Sequence, residues 1–309
     1  MSTFFSTTEE KSPLLCVDIG TASIKSCIIR EKNNQLEILG FSDVSQEPGN
    51  LKDGAIVHLS KTITSLQHAI RDTENLARIS TVDVVFAFSG EMVRGANVTL
   101  SFQRERPEKR IDDQELKTIM YELQSQAFEL IRGDIASELC LAAMDVKLVN
   151  ASILRVTIDQ EIVTDILGKT GARVEMELYN AFSPVKYSGH FQNMILELPY
   201  HQLRGVFVPT MAIGYCLQMN DALLDAIVID IGAGTTELGV YCNGRFMGSR
   251  SYAFGGNTIS KRISYELSTS FEEAESIKIK YGSDSLEKKS QQVITELLKH
   301  DLELWISSL

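Results

Sequence analysis

Cys16-Val-Asp-Ile-Gly-Thr-Ala-Ser-Ile-Lys-Ser-Cys-Ile28 recurs in outline as Val228-Ile-Asp-Ile-Gly-Ala-Gly-Thr-Thr-Glu-Leu-Gly-Val240. Each copy reads as an apolar strand, Asp-Ile-Gly, small and hydroxylated residues, then a second apolar strand. About 210 residues separate the copies, too many for a stacked solenoid and suited to two related lobes. A phosphate can approach such a turn only if bulky side chains are missing there, which Gly20, Ala22, Gly232, Ala233 and Gly234 provide. The exposed N–H groups of the turn form an anion-binding concavity, and Thr21, Ser23, Thr235 and Thr236 add hydroxyl donors. Asp18 and Asp230 beside a polyanion make chemical sense with Mg2+ between them, held through its waters. Lys25 either offsets phosphate charge or, by strand alternation, faces solvent. One copy alone is an ordinary hairpin; two copies in the same setting point to a divided nucleotide site. The Walker-type and Rossmann-type glycine loops do not occur.

Residues 14–20, 23–30 and 36–44 read as an antiparallel three-stranded meander, broken at Asn33-Asn34. A loop with Pro48-Gly49 and Asp53-Gly54 leads to a helix over 61–77, with Ile63, Leu66, Ile70 and Leu76 near helical spacing, and then a strand over 82–88. From 89 to 178 the texture changes. The charged run Arg104-Glu-Arg-Pro-Glu-Lys-Arg110 reads as a solvated loop, or alternatively as a self-association contact. A helix over 112–131 follows, capped by Asp112 or Asp113 with Glu115 in its first turn, then strands at 148–158 and 172–178. This is a compact α+β insertion without low-complexity sequence.

A polar piece around Gly189-His190 precedes a strand running into a helix at 205–217. Beyond the second repeat copy, a strand at 246–253 ends at Gly255-Gly256, and helices are expected at 257–267, 271–281 and 286–308. The last carries Ile294, Leu297, Leu298, Trp305 and Leu309 on one face. Its polar side holds Glu296, Asp301 and Glu303 against Lys299, whereas membrane-surface helices favour basic residues there. Packing on a core or partner is therefore the expectation.

A net charge of −11 argues against a nucleic-acid partner. No apolar run approaches the roughly 20 residues of a membrane span, and residues 1–12 lack secretory-signal character and read as a disordered tail. Cys16, Cys27, Cys140, Cys216 and Cys242 show no CxxC spacing. Cys16, Cys27 and Cys242 lie in or beside β-branched runs as buried small hydrophobes, which predicts a reduced, cytoplasmic protein. The scattered histidines offer no metal-binding pair.

The two Asp-Ile-Gly turns resemble the phosphate motifs of the superfamily of actin, sugar kinases and heat-shock chaperones. Three further stretches resemble its FtsA branch: Leu36-Glu-Ile-Leu-Gly40 with Leu51-Lys-Asp-Gly-Ala-Ile-Val57, Val84-Val-Phe-Ala-Phe-Ser-Gly90 entering the insertion, and Ser270-Phe-Glu-Glu-Ala-Glu-Ser-Ile-Lys-Ile-Lys-Tyr-Gly282. The resemblance runs from about Leu14 through nearly the whole chain. It implies an α/β, actin-like (ribonuclease H-like) bilobed fold: a first lobe from 13–88 and 179–204, an inserted α+β subdomain of FtsA/PilM type (SHS2) at 89–178, and an incomplete second lobe at 205–309. It implies ATP and Mg2+ as ligands. Asp18 and Asp230 would lie near Mg2+ and its waters, and Gly20, Thr21, Gly232, Gly234, Thr235 and Thr236 would hold phosphates. Gly255 and Gly256, with Asn257, would open a helix toward the nucleotide, and Glu275 and Lys278 would reach ribose and base. Read from spacing alone, Glu275 and Lys278 are a solvated i,i+3 ion pair.

The implied function is an ATP-binding cell-division protein that polymerises and tethers the FtsZ ring to the inner face of the cytoplasmic membrane. The alternative is a PilM-like adaptor of type IV pilus assembly binding a peptide from a membrane partner. A sugar-kinase activity is a distant third reading. Glu237 stands for the usual Asp and Ala233 for a Gly. Val208 precedes Pro209 where filament-forming relatives usually place a carboxylate, so weak or no ATP turnover is expected. Relatives continue into a Gly-rich adenosine-binding strand and helix, and FtsA into a membrane-binding helix. Neither segment is found after Gly282, which predicts a missing C-terminal part and weak ATP binding.

Overall fold

The computed structural model describes residues 12–32, 35–90, 92–198, 200–218 and 225–308. The expected tail through residue 11, the Asn33-Asn34 break and Leu309 lie outside them. The chain opens with β1 (Leu14–Ile19), β2 (Ser23–Lys32) and β3 (Gln35–Ser45), paired antiparallel in sequence order. Alternating apolar residues drive this: Leu15, Val17, Ile19, Ile24 and Ile28 are all buried on one face. β4 (Leu51–Lys52) and β5 (Ala55–Ile56) form a tight hairpin turning at Asp53 and Gly54, both with positive φ. α1 (Leu59–Ala77) then lies on β2 and β3, and small residues bring it close. The hydroxyls of Ser26, Ser42 and Thr73 all donate to the Ala69 carbonyl at 2.9 Å, and a Cβ on Gly40 would come within 2.6 Å of the Thr73 carbonyl oxygen. β6 (Asp83–Ala87) runs parallel to β1.

The insertion begins with β7 (Arg94–Gln103), a strand the sequence reading left out. α2 (Asp113–Glu138) follows, and Asp112 is its cap, accepting from the Glu115 N–H at 2.9 Å. After a 3-10 turn (Ala143–Asp145) come β8 (Val146–Ile158), β9 (Glu161–Val163) and β10 (Arg173–Pro184), the last reaching well beyond the expected end at 178. β10 is central, between β7 and β8, and α2 covers one face of these strands with Ile119, Leu123 and Ala127 against Val174, Met176 and Leu178.

The charged run at 104–110 is not simply solvated. The Arg104 side chain is fully buried, forks onto both oxygens of Glu115 at 2.7 and 2.9 Å, and donates to the carbonyls of Gly171 and Lys109. Its guanidinium thus fastens the insertion's loops to the start of α2. Arg104→Met would leave the Glu115 carboxylate and two carbonyls unpaired, so a loss of about 3 kcal/mol in unfolding free energy is expected by urea denaturation. A loss under about 0.5 kcal/mol would match the solvated-loop reading instead.

The polar piece at Gly189-His190 is a helix, α3 (Val185–Leu196), which buries Phe191 and Met194. β11 (Gln202–Phe207) then returns to the first sheet beside β6, giving the order β11-β6-β1-β2-β3. A meander extended by two parallel strands is the ribonuclease H-like arrangement. The 204/205 boundary expected between lobes falls inside β11.

α4 (Pro209–Gln218) leads to β12 (Ala226–Ile231), β13 (Thr236–Cys242) and β14 (Arg245–Tyr252), a second antiparallel meander. β14 meets β7 at Gly248 and Ala96, so these strands and the insertion form one seven-stranded sheet. α4 lies on one face, where the Tyr241 hydroxyl donates to the Met211 carbonyl at 2.7 Å. The opposite face of β12 presents Ile227, Ile229 and Ile231, each at least half exposed. α5 (Gly256–Leu267), α6 (Phe271–Gly282) and α7 (Lys288–Ser308) pack around Ile263, Ala274, Ile294 and Leu298. Ile294, Leu297 and Leu298 of the apolar face of α7 are therefore spent on this core. Among the described residues no helix is long and apolar enough to cross a membrane. All five cysteines are free thiols; Cys16 and Cys27 are only partly buried, and Cys242 is exposed, against expectation, because it lies at the end of β13 beside the turn.

Candidate functional site

The two repeat copies fold into the same turn. The Gly20 N–H donates to the Ser23 carbonyl at 3.1 Å, and the Gly232 N–H to the Thr235 carbonyl at 2.8 Å. Each bond closes a four-residue loop at the end of a hairpin, leaving the intervening amides at the tip. The tips meet: a Cβ on Gly234 would come within 2.6 Å of the Thr21 Oγ1. Two turns distant in sequence are thus brought tip to tip.

The acidic residues sit one step back on each first strand. Asp18 lies opposite Lys25 on β2, and Lys25 lies opposite Asp43 on β3. Burial pushes the Asp18 pKa up to about 6, opposed by Lys25 and reinforced by Asp230 and Asp43. Burial also raises the Asp230 pKa, again opposed by Lys25. Lys25 thus acts on both carboxyls through its charge while its side chain stays exposed, as strand alternation allows. Two carboxyls with burial-raised pKa values, near enough for the charge of Asp230 to act on Asp18, are what a divalent cation would relieve, so the donor set fits Mg2+.

Several neighbours carried no sequence signal for the site. Gln46 Nε2 donates to the Gly20 carbonyl at 2.7 Å, and its N–H donates to the Ala22 carbonyl at 2.8 Å, bracing the first turn. Ser89 and Thr235 share a hydroxyl hydrogen bond at 3.1 Å. Gly54 and Gly90, both at φ +80°, back onto each other so closely that a Cβ on either would lie 2.8 Å from the other's Cα.

Thr236 does not serve the concavity. Strand alternation turns it to the face opposite Asp230, where it is fully buried and donates to the Phe254 carbonyl at 2.8 Å. Gly255 and Gly256 do bring a helix start to the second turn, but the first amides of α5 are already engaged. Gly256 N–H donates to the Gly232 carbonyl at 3.0 Å and Asn257 N–H to the Ala233 carbonyl at 2.8 Å. Gly255 is required by this closeness, since a Cβ there would lie 2.6 Å from the Gly232 carbonyl oxygen. The start of α5 therefore supports the turn rather than offering those two donors to a phosphate.

Glu275 and Lys278 form the i,i+3 pair at 2.7 Å, but not a freely solvated one. Ser260 Oγ donates to the same Glu275 oxygen, and Lys278 Nζ reaches the Gly256 carbonyl at 3.3 Å. Burial alone would raise the Glu275 pKa, but hydrogen bonds from Lys278 and Ser260 outweigh it and hold the carboxyl below its usual range. The pair thus ties α6 to the first turn of α5.

A buried carboxyl does stand at the start of α4, one residue past Pro209, supplied from β13. Glu237, opposite Asp230 on the β12–β13 ladder, accepts from the Thr210 N–H at 3.1 Å and the Thr210 Oγ1 at 2.6 Å. It is 1% exposed, and burial pushes its pKa up to about 7 against those hydrogen bonds. In the repeat it occupies the position of Lys25, a correspondence the sequence already contained. So enclosed, Glu237 caps α4 rather than reaching a water in the concavity.

Residues 227–302 match the family model described as "Cell division protein FtsA". The chain is 24% identical over 285 residues to the FtsA of Bacillus subtilis (strain 168), covering 91% of this chain and 60% of the relative. It is 25% identical over 268 residues to that of Neisseria meningitidis serogroup B, covering 86% and 60%. The chain thus spans about 60% of the length of these curated relatives. Among solved structures, the PilM–PilN type IV pilus biogenesis complex aligns with a TM-score of 0.60 at 18% identity, over 96% of this chain and 78% of that one. Turn geometry and sheet order are those of an actin-like fold, and the sequence is similar to that of the bacterial cell division protein FtsA.

Proposed function

We propose that the chain is an ATP-binding, actin-like protein of bacterial cell division that polymerises and links the FtsZ ring to the cytoplasmic membrane. The carrying observation is the pair of identical turns meeting at Gly234 and Thr21 with Asp18 and Asp230 behind them. In this reading the tip amides of 21–23 and 233–235 and the hydroxyls of Thr21, Ser23 and Thr235 hold the phosphates. Asp18 and Asp230 hold Mg2+ through its waters, and Lys25 offsets phosphate charge. The ion supplies charge neutralisation between the acidic side chains and the polyphosphate. Glu275 and Lys278 would turn from each other toward ribose and base. With Glu237 fixed against Thr210, turnover is weak or absent. Membrane attachment is assigned to no residue of this chain.

Titration calorimetry with ATP in Mg2+ tests the site. A binding isotherm is expected with Mg2+ and is lost in excess chelator, and Asp230→Ala weakens affinity at least about tenfold, the equivalent of ~1.4 kcal/mol. Unchanged affinity in that variant would remove Asp230 from the site. Pelleting with FtsZ polymers tests the division role. Failure to pellet, with capture of a peptide from a pilus membrane partner instead, would favour the PilM-like role that the alignment with the PilM–PilN complex keeps open.

A further inference from the structure

Trp305, the only tryptophan of the chain, stands near the end of α7. Its indole Nε1–H donates to Thr236 Oγ1 at 3.2 Å, and its ring stacks on Phe254 with centroids 5.4 Å apart and planes 13° from parallel. The same Thr236 hydroxyl donates to the Phe254 carbonyl at 2.8 Å. Trp305, Thr236 and Phe254 therefore close a ring of contacts joining α7, the first residue of β13 and the link between β14 and α5.

That ring lies directly behind the second turn. Thr236 follows Thr235, whose carbonyl closes the turn. Phe254 precedes Gly255 and Gly256, which press against the Gly232 carbonyl. Farther along, Arg262 of α5 pairs with Asp301 of α7 at 3.3 Å, and Ile294 and Leu298 sit in the core shared with α5 and α6. α7 is thus fastened at one end to the helical layer and at the other to the turn. Any resetting of residues 232–235 must move Thr236 or Phe254, and each bears on the indole.

We propose that Trp305 is a positioning residue for the second phosphate turn, and that phosphate binding at residues 232–235 and docking of the C-terminal part of α7 favour each other. This rests on the nucleotide-site reading above. The coupling is reciprocal by linkage: what the docked indole adds to ligand affinity, the ligand adds to docking. The stack and the indole hydrogen bond act on different atoms. Trp305→Phe keeps an aromatic face on Phe254 and removes the N–H donor, whereas Trp305→Ala removes both.

The test uses the single indole as its own reporter. Mg2+ and ATP are titrated into the full chain while tryptophan emission is followed, and affinity is measured in parallel by calorimetry for wild type, Trp305→Phe and Trp305→Ala, with circular dichroism confirming each fold. The expected result is an emission change saturating at the calorimetric Kd, and affinity weakened roughly fivefold or more in Trp305→Ala and less in Trp305→Phe. Binding heat with silent emission, or with wild-type affinity in Trp305→Ala, overturns the coupling and leaves the site standing. If Trp305→Ala does not fold, Trp305→Phe decides: wild-type affinity with silent wild-type emission overturns the coupling. Absence of both heat and emission change in the wild type overturns the nucleotide site and this inference with it.

Discussion

Asp18→Asn is expected to make the nucleotide-free protein more stable near pH 7.5 while abolishing its stabilisation by Mg2+ and ATP. Burial lifts the Asp18 pKa from 3.8 to about 6, with Asp230 and Asp43 adding to the rise against Lys25. A carboxyl that binds its proton more tightly when folded favours folding at low pH. That contribution is complete below about pH 4, falls as pH rises through about 6, and leaves the ionised form as a net penalty above it. The shift corresponds to on the order of 2 kcal/mol once partial solvent access is allowed for. Asn keeps the shape and removes the charge, so the variant should gain about that much at pH 7.5 and match wild type at pH 4. Wild type should instead recover stability when Mg2+ and ATP are added, by about 2.7 kcal/mol at a hundredfold excess over Kd, and Asp18→Asn should not. Urea denaturation at the two pH values, with and without ligand, measures all four quantities. A variant no more stable at pH 7.5, or stabilised normally by the ligand, would contradict the account of these carboxyls.

Gly90→Ala should be among the most damaging single-methyl changes in the chain. Gly90 has φ +80°, and an added Cβ would lie 2.8 Å from the Gly54 Cα and 2.9 Å from the Asp53 carbonyl oxygen. Both neighbours are backbone, so no side chain can swing away. The left-handed conformation costs an alanine roughly 1–2 kcal/mol, and forced separation of packed backbones a further 1–3 kcal/mol. A loss of about 3 kcal/mol in unfolding free energy follows. The β4–β5 hairpin would be pushed toward Thr235, whose Cγ2 lies 3.0 Å from the Cβ position of Gly54, and nucleotide affinity should fall with stability. Stability within about 0.5 kcal/mol of wild type would mean that the Gly54–Gly90 contact has room to open.

The central turns were legible in the sequence because a hairpin tip that admits a phosphate must be written locally, as Asp-Ile-Gly with small residues after it. The apolar alternation of 14–30 likewise carried the first meander. β7 was missed because Arg-Gly-Ala-Asn-Val-Thr-Leu-Ser-Phe-Gln puts polar and small residues on much of a strand whose partners, β10 and β14, lie far away in sequence. α3 was missed because Ser188, Gly189 and His190 are weak helix formers at its centre, and tertiary burial of Phe191 and Met194 decides the outcome. Gly54, Ser89 and Gly90 gave no sign of facing the second turn, since their role depends on lobe packing rather than on a motif. Thr236 was over-read for the opposite reason: a hydroxyl next to the turn looked like a donor, but strand parity sends alternate residues to opposite faces.

The most direct test of the central claim is amide hydrogen exchange at residues 21–23 and 233–235, read with and without Mg2+ and ATP. One ligand held between two equivalent turns predicts that both sets of tip amides slow together, by roughly tenfold or more at saturation, and return together when Mg2+ is chelated. Protection of one turn alone, or of neither while ATP is bound, would contradict a site shared between them.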